Sequence, residues 1–213
     1  MLFYNLLYSN FNLKVSIYFI GDYMKNLYLD LKPITDNLID LLFKPTITYQ
    51  EEIPTNERII LAGNHMSNFD SLLLARGVDR QIHFLAKYQL FKGPLKFLMN
   101  NIESIPVKRD GNDIECLKRA IDYLNEEKCL GIFPEGTFNK TDNLILPFKL
   151  GTIMIAKRSK SDIIPFSITG NYKLVKNNLR LSFGKRIKTS DYSSKELLEK
   201  LESDVKTLIL KNR

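Results

Sequence analysis

Short apolar strand patterns alternate with helical patterns along most of this 213-residue chain. Each such element has one or two apolar faces to bury, so the alternation requires helices packed on a sheet. The length suits one domain with a substantial core. We therefore predict an α/β fold with a mixed central sheet flanked by helices. The predicted strands are Thr46 to Tyr49, Arg58 to Ala62, Ile82 to Ala86, Ile105 to Lys108, Leu130 to Phe133, Ile163 to Ile168 and Leu179 to Phe183.

Helical spacing and capping residues predict the elements between these strands. Asn112 is expected to cap a helix, and Glu115 three residues later completes the pattern of a capping box. The other predicted helices are Ser71 to Arg76, a short helix from Phe91 to Met99, Gly151 to Ser159 and an amphipathic C-terminal helix.

The first part of the chain is apolar and aromatic but interrupted. Met1 to Tyr23 never reaches the roughly 18 unbroken apolar residues of a membrane span. It also has no basic start and no small-residue cleavage site, so an interfacial helix is the better expectation. If Met24 is the true translation start, Met1 to Tyr23 carries no function.

Leu27 to Leu42 repeats apolar residues at helical spacing, and Pro33 is expected to divide it into two helical pieces. These pieces either pack on the domain or also place their apolar faces in a bilayer. We predict a membrane-associating segment over residues 1–45 and an α/β domain over residues 46–213.

The formal net charge of +7 indicates a negatively charged partner, unless it is only a solvated basic surface. Nucleic acid is not expected, because the chain has no aromatic–basic RNA motif and no DNA-reading helix. Cys116 and Cys129 lack ligand-like spacing and are interpreted as reduced core residues of a cytoplasmic protein. With two histidines in the chain, we expect no metal site.

His65 directly follows a predicted strand, and Asp70 lies at the start of the next helix. A turn of this length can return the carboxylate to one ring nitrogen, which would fix the tautomer and leave the other nitrogen as a general base. This is the base half of a catalytic triad without its nucleophile. The alternative is an ordinary turn in which Asn68 or Asp70 caps the helix.

Two later blocks hold charged residues at strand ends. Lys108 and Arg109 could clamp a phosphate, since Arg is a bidentate donor and Lys a point charge. Glu135, Gly136 and Thr137 follow a strand that ends in Pro, and there the carboxylate could bind acceptor hydroxyls or position Arg109. The alternatives are a charged surface turn and a simple strand-ending turn.

Taken together, the blocks resemble the glycerolipid acyltransferase family typified by 1-acylglycerol-3-phosphate acyltransferase. The resemblance runs from about Leu27 to about Gly184. The matching segments are Asn64-His65 with Asp70, Arg109 after a strand, Phe133-Pro134-Glu135-Gly136-Thr137, Ile163-Ile164-Pro165, Ala86 to Phe91 with Lys87, and Phe148 to Gly151.

The resemblance implies that His65 is the base and Asp70 its orienting partner. It implies that Arg109, Glu135 and Gly136 lie around a glycerol phosphate. The other residues that we expect to bind substrate are Lys87, Lys108 and Thr137. One position departs from the family, because Phe138 stands where the family usually has Arg or a similar polar residue. That departure leaves the identity of the acceptor open.

The implied reaction moves a fatty acyl group from an acyl carrier protein or coenzyme A thioester to the sn-2 hydroxyl of lysophosphatidate. The thioester is a co-substrate, and no cofactor is expected. The implied location is the cytoplasmic face of the cell membrane, where the chain would be peripheral or monotopic on the lipid surface. Two alternatives are transfer to another lysolipid or an amine-bearing lipid, and a non-catalytic basic protein that binds membranes.

Overall fold

The computed structural model of the chain describes residues 27–108, 113–174 and 178–212. Within these residues, seven strands form one sheet in the order β1-β7-β6-β2-β5-β3-β4. Neighbouring strands are parallel except for the antiparallel pair β6 and β7, so the predicted mixed sheet is confirmed. The strands are β1 Thr46–Tyr49, β2 Ile59–Gly63, β3 Ile82–Lys87, β4 Ile105–Val107, β5 Cys129–Ile132, β6 Asp162–Thr169 and β7 Arg180–Phe183.

Helices cover both faces of the sheet. They are α1 Leu27–Phe43, α2 Asp70–Arg76, α3 Lys96–Asn101, α4 Ile114–Asn125, α5 Gly151–Ser159 and α6 Ser194–Lys211, with short 3₁₀ turns at Tyr88–Phe91 and Thr189–Asp191. One apolar core joins α4, α5 and α6 to the sheet, and a second joins α1 and α2 to the opposite face. The central strand β2 is buried along its whole length, because successive side chains enter the two cores alternately.

Helix α1 corrects the prediction of two pieces, because Leu27–Phe43 is continuous with Pro33 inside it. Contacts on both sides of the proline explain why the helix persists: Ile39 and Phe43 are buried after it, and the Lys32 ammonium before it donates to the Ala75 carbonyl of α2 at 2.7 Å. The hydroxyl of Thr35 also donates to main-chain carbonyls in the proline turn. Tertiary contacts therefore override the local preference of proline.

Three of the apolar residues at helical spacing in α1, Ile34, Leu38 and Leu41, are exposed on the side of the helix away from the sheet. The residues buried on this helix are Tyr28, Ile39 and Phe43. The large apolar side chains left exposed are Leu29, Ile34, Leu38 and Leu41. The predicted interfacial helix over Met1 to Tyr23 lies outside the described residues, and the division at residue 45 stays a prediction. In the part of the chain that the structure describes, no helix is long and apolar enough to cross a membrane.

Two further helix predictions need correction. The predicted helix from Phe91 to Met99 is replaced by a 3₁₀ turn and by α3, because Pro94 disfavours helical geometry at Gly93 before it. Helix α4 is capped by Asp113, whose carboxylate accepts from the Cys116 amide at 3.0 Å. The predicted cap Asn112 lies outside the described residues.

Candidate active site

The site is built where β2 ends and α2 begins. Gly63 closes β2 in a position where a Cβ atom would lie 2.2 Å from the carbonyl oxygen of Phe166 on β6. The next residue, Asn64, is buried, and its amide donates to the Ile168 carbonyl and accepts from the Ile168 amide, both at 2.8 Å. The chain is thereby fixed to β6 immediately before His65.

Asp70 is fully buried, and its carboxylate accepts hydrogen bonds from three residues of the histidine turn. Its Oδ2 accepts from His65 Nδ1 at 2.8 Å and from the amides of Met66 and Ser67 at 2.5 and 2.8 Å. Because an ionised carboxylate only accepts, this contact assigns the proton of the neutral imidazole to Nδ1. Nε2 of His65 is then the nitrogen with a lone pair, which is the atom that a general base requires.

Two aromatic rings hold the His65 imidazole. The Phe133 ring stacks on it with centroids 4.0 Å apart and planes 15° apart. The Phe138 ring meets it at 61° with centroids 4.4 Å apart. The His65 side chain keeps 19% of its surface exposed. The ring is therefore oriented by packing as well as by Asp70, and water reaches only part of it.

Glu135 is buried behind the same turn. Its Oε1 accepts from the His65 amide and its Oε2 from the Leu146 amide, each at 2.8 Å. Burial raises the pKa of Glu135, and the two backbone hydrogen bonds oppose that rise. The Asn139 amide adds a bond to the His65 carbonyl at 2.9 Å. Glu135 thus ties the segment after β5 to the histidine turn, and its expected contact with acceptor hydroxyls stays a prediction.

A pocket of about 280 Å³ opens beside His65, at the carboxyl ends of the parallel strands. Gly136 and Lys87 line it, as do apolar side chains of β3, β4, β5 and α5. Gly136 has a φ of +68°, and a Cβ atom there would lie 2.7 Å from Lys149 Nζ, so a side chain would be strained and crowded. The pocket combines an apolar wall with the charged side chains of Lys87, Lys149 and Asp113.

Two predicted site residues, Lys108 and Thr137, do not line this pocket. Lys108 lines a neighbouring pocket, where its ammonium sits 5.4 Å from the centre of the Tyr88 ring and its amide donates to Asp113. Thr137 is exposed and is not among the residues that line the His65 pocket. Arg109 lies outside the described residues. The structure therefore brings together His65, Asp70, Lys87, Glu135 and Gly136.

Comparison with known proteins identifies the family. The sequence model described as Acyltransferase matches residues 44–169, which include His65, Asp70 and Glu135. This chain belongs to the acyltransferase family. The predicted resemblance is thereby confirmed, and the chain is an enzyme rather than a non-catalytic binding protein.

Named relatives agree with this assignment. The 1-acyl-sn-glycerol-3-phosphate acyltransferase of Bacillus subtilis (strain 168) is 27% identical over 165 residues, which cover 75% of this chain and 81% of that protein. The protein of the same name from Cocos nucifera is 29% identical over 176 residues, covering 77% of this chain and 57% of that protein.

A solved structure shares the fold. The crystal structure of the 1-acyl-sn-glycerophosphate acyltransferase from Thermotoga maritima superposes with a TM-score of 0.66, over 93% of this chain and 94% of that one. Because the two sequences are only 22% identical, this likeness shows that the folds agree and carries no argument about the reaction.

Sequence reasoning missed two polar groups of the acyltransferase site. Lys149 lines the His65 pocket but was noticed only as part of a family-like segment. Tyr172 donates its hydroxyl to Asp70 Oδ1 at 2.6 Å. Burial and the charge of Asp70 raise the pKa of Tyr172, which keeps the phenol protonated. Tyr172 lies far from Asp70 in sequence, so no local pattern could reveal this contact.

Other reactive side chains do not compete with His65. Burial lowers the pKa of His83 to about 4, and its Nδ1 lies 3.3 Å from the Glu103 carbonyl, as suits a structural histidine. Burial raises the pKa of Cys116 and of Cys129 to about 12, so neither is a thiolate at neutral pH. Across residues 27–108, 113–174 and 178–212, no group of His, Cys, Asp and Glu side chains could hold a metal ion.

Proposed function

We propose that this acyltransferase moves a fatty acyl group from an acyl thioester to the sn-2 hydroxyl of 1-acylglycerol-3-phosphate, giving phosphatidic acid. The observation that carries the proposal is the His65–Asp70 contact of 2.8 Å at the edge of a pocket with ammonium groups. The names of the relatives support the acceptor, because each is a 1-acyl-sn-glycerol-3-phosphate acyltransferase.

In the proposed reaction, Nε2 of His65 takes the proton from the acceptor hydroxyl as its oxygen attacks the thioester carbonyl carbon. The tetrahedral intermediate collapses, the carbon–sulfur bond breaks, and the thiolate takes the proton back from His65. The charge of Asp70 stabilises the imidazolium that exists between the two steps. The acceptor supplies the nucleophile, and the two cysteines, both protonated, are not required.

The ammonium groups of the pocket suit the phosphate of the acceptor. Lys87 and Lys149 both line it beside His65, and the predicted phosphate clamp adds Arg109. Lys108 and Thr137 do not line the His65 pocket, and their contacts with substrate stay predictions. The apolar lining, which includes Leu85, suits an acyl chain or the glycerol backbone.

One observation favours a second candidate acceptor. Phe138 packs against the His65 ring at the position where the family usually has a polar donor. An apolar ring there suits a headgroup with less negative charge, such as another lysolipid or an amine-bearing lipid. Assaying lysophosphatidate beside these acceptors, with the product identified by lipid mass spectrometry, decides between the two candidates.

A membrane surface is the proposed location of the substrates. Helix α1 exposes Ile34, Leu38 and Leu41 on one face, which is suited to the boundary between headgroups and acyl chains. The net charge of +7 favours anionic lipid on the cytoplasmic leaflet and an acidic acyl carrier protein as donor. A coenzyme A thioester is the other donor to test.

The membrane proposal is tested by flotation with vesicles of phosphatidylglycerol and phosphatidylcholine. Leu41→Glu should reduce binding at least severalfold, because Leu41 is 74% exposed on α1. Leu210→Glu is the matched control, since Leu210 is 60% exposed on α6 across the sheet. Equal binding by the two variants would exclude the α1 face as the membrane contact.

The catalytic proposal is tested with purified full-length chain, lysophosphatidate in vesicles and labelled acyl thioesters of coenzyme A and of acyl carrier protein. His65→Gln should abolish transfer and leave the circular dichroism spectrum unchanged. His83→Gln is the matched control, because His83 is the other histidine of the chain and is buried away from the pocket. Transfer by the His65 variant within a few-fold of wild type would refute the mechanism.

A further inference from the structure

Tyr172 completes the set of contacts around the Asp70 carboxylate. It follows Gly170, whose φ of +88° turns the chain after β6. The three other described donors to Asp70, at His65, Met66 and Ser67, all use Oδ2, whereas the Tyr172 hydroxyl donates to Oδ1 at 2.6 Å. The two oxygens are therefore held from different parts of the fold, one by the local turn and the other by the end of β6.

The ring of Tyr172 is itself held in place. It meets the Phe43 ring edge-on, with centroids 5.3 Å apart and planes at 88°, and lies 5.7 Å from the Phe69 ring. Phe43 is the last residue of α1, and Phe69 directly precedes α2. The phenol is thus packed between the first helix and the histidine turn, which restricts the positions that its hydroxyl can adopt.

A carboxylate with one bonded oxygen can rotate about its Cβ–Cγ bond, whereas bonds to both oxygens fix its plane. We propose that Tyr172 is a positioning residue for acyl transfer, which locks the Asp70 carboxylate so that Oδ2 stays on His65 Nδ1. Tyr172 is not among the residues that line the pocket beside His65, so it acts through Asp70. This inference rests on the proposed role of His65 as the base.

The direct test is Tyr172→Phe, which removes the hydroxyl and keeps the ring. We expect kcat to fall about tenfold, as is typical when a hydrogen bond to a charged group is lost. The KM values for both substrates should not change, because the phenol does not touch them. Tyr49→Phe is the matched control, since the Tyr49 hydroxyl donates to the Gly77 carbonyl at 2.9 Å and its ring stacks on Phe183, away from the site.

A double-mutant cycle with Asp70→Ala, which removes the partner of the hydroxyl, separates positioning from a merely structural role. If Tyr172 acts through the carboxylate, Tyr172→Phe should not lower kcat further in the Asp70→Ala background. The same loss in both backgrounds, or a Tyr172→Phe enzyme within twofold of wild type, would overturn the inference.

His65→Gln is assayed in parallel to keep the two proposals apart. An inactive His65 variant beside a fully active Tyr172 variant refutes only the role of Tyr172. An active His65 variant refutes the proposed mechanism and this inference with it. The Nδ1 proton of His65, observed by proton NMR at low field, should also shift in Tyr172→Phe and not in Tyr49→Phe.

Discussion

Replacing Asp70 by Asn keeps the shape of the side chain and removes its charge. The amide oxygen can take the place of Oδ2 and accept from His65, Met66 and Ser67. The new NH₂ group then faces the Tyr172 hydroxyl, which can rotate and accept instead of donating. We therefore expect the Asp70→Asn protein to fold, with its melting temperature lowered by only a few degrees.

The cost to catalysis follows from the distance between the two charges. His65 Nδ1 and Asp70 Oδ2 are 2.8 Å apart. At an effective dielectric constant of about 20, an imidazolium and a carboxylate at this distance attract each other by about 6 kcal/mol. The amide dipole retains part of that, so the barrier should rise by about 4 to 6 kcal/mol, or about 10³- to 10⁴-fold in kcat.

The assay measures kcat and KM for transfer of a labelled acyl group to lysophosphatidate in vesicles. KM should be unchanged, because Asp70 is fully buried and does not contact substrate. A kcat within tenfold of wild type, in a protein with normal thermal unfolding, would show that the charge of Asp70 does not stabilise the reacting histidine. The electrostatic argument would then be refuted.

Three further predictions concern the segment after β5. Glu135→Gln leaves one of two backbone amides without an acceptor and should destabilise the fold by about 1 to 3 kcal/mol. Because burial raises the pKa of Glu135, its contribution to stability is present in acid and lost as pH rises through that raised pKa. The deficit of the variant in urea unfolding should therefore shrink as pH rises, and a deficit that grows would contradict this prediction. Gly136→Ala should lower the free energy of unfolding by about 1 to 2 kcal/mol and displace Lys149, because residue 136 has a positive φ and no room for a Cβ atom. Gly93→Ala is the control, since nothing lies within 4 Å of the Cβ position there. Equal stability of the two variants would exclude strain at residue 136. Phe138→Arg should lower KM for lysophosphatidate about tenfold, because the guanidinium adds a charge-assisted hydrogen bond to the phosphate, and should leave KM for the thioester unchanged. A parallel change in both KM values would count against a phosphate beside residue 138.

The parts of the fold that local signals determine were predicted well. The helix Gly151–Ser159 has its predicted bounds, and β2 begins within one residue of its predicted start. The histidine turn was predicted because its chemistry is contained in a few consecutive residues. In the structure, His65 Nδ1 and Asp70 Oδ2 are within hydrogen-bonding distance, as expected. A buried strand, a short turn and a helix start are local features that a single sequence can reveal.

Features that depend on distant contacts were not predicted. The proline in α1 was expected to break the helix, and contacts to α2 keep it intact. The contact of Glu135 with substrate stays a prediction, but its hydrogen bonds to the amides of His65 and Leu146 were not foreseen, because neither residue is its neighbour in the sequence. Tyr172 was not considered at all, since its partner Asp70 precedes it by about a hundred residues.

The long-range contacts explain why the base is held on this particular edge of the sheet. Strand β2 lies between β5 and β6 and is parallel to both, so the segments that follow all three strands begin at the same edge. Each neighbour then contributes one constraint to the histidine turn: the segment after β5 supplies Glu135 to the His65 amide, and the segment after β6 supplies Tyr172 to Asp70. An antiparallel neighbour would place its following loop at the opposite edge, where neither contact could form. The parallel arrangement of the three central strands is therefore the structural condition for a histidine whose backbone and orienting carboxylate are both fixed before substrate arrives.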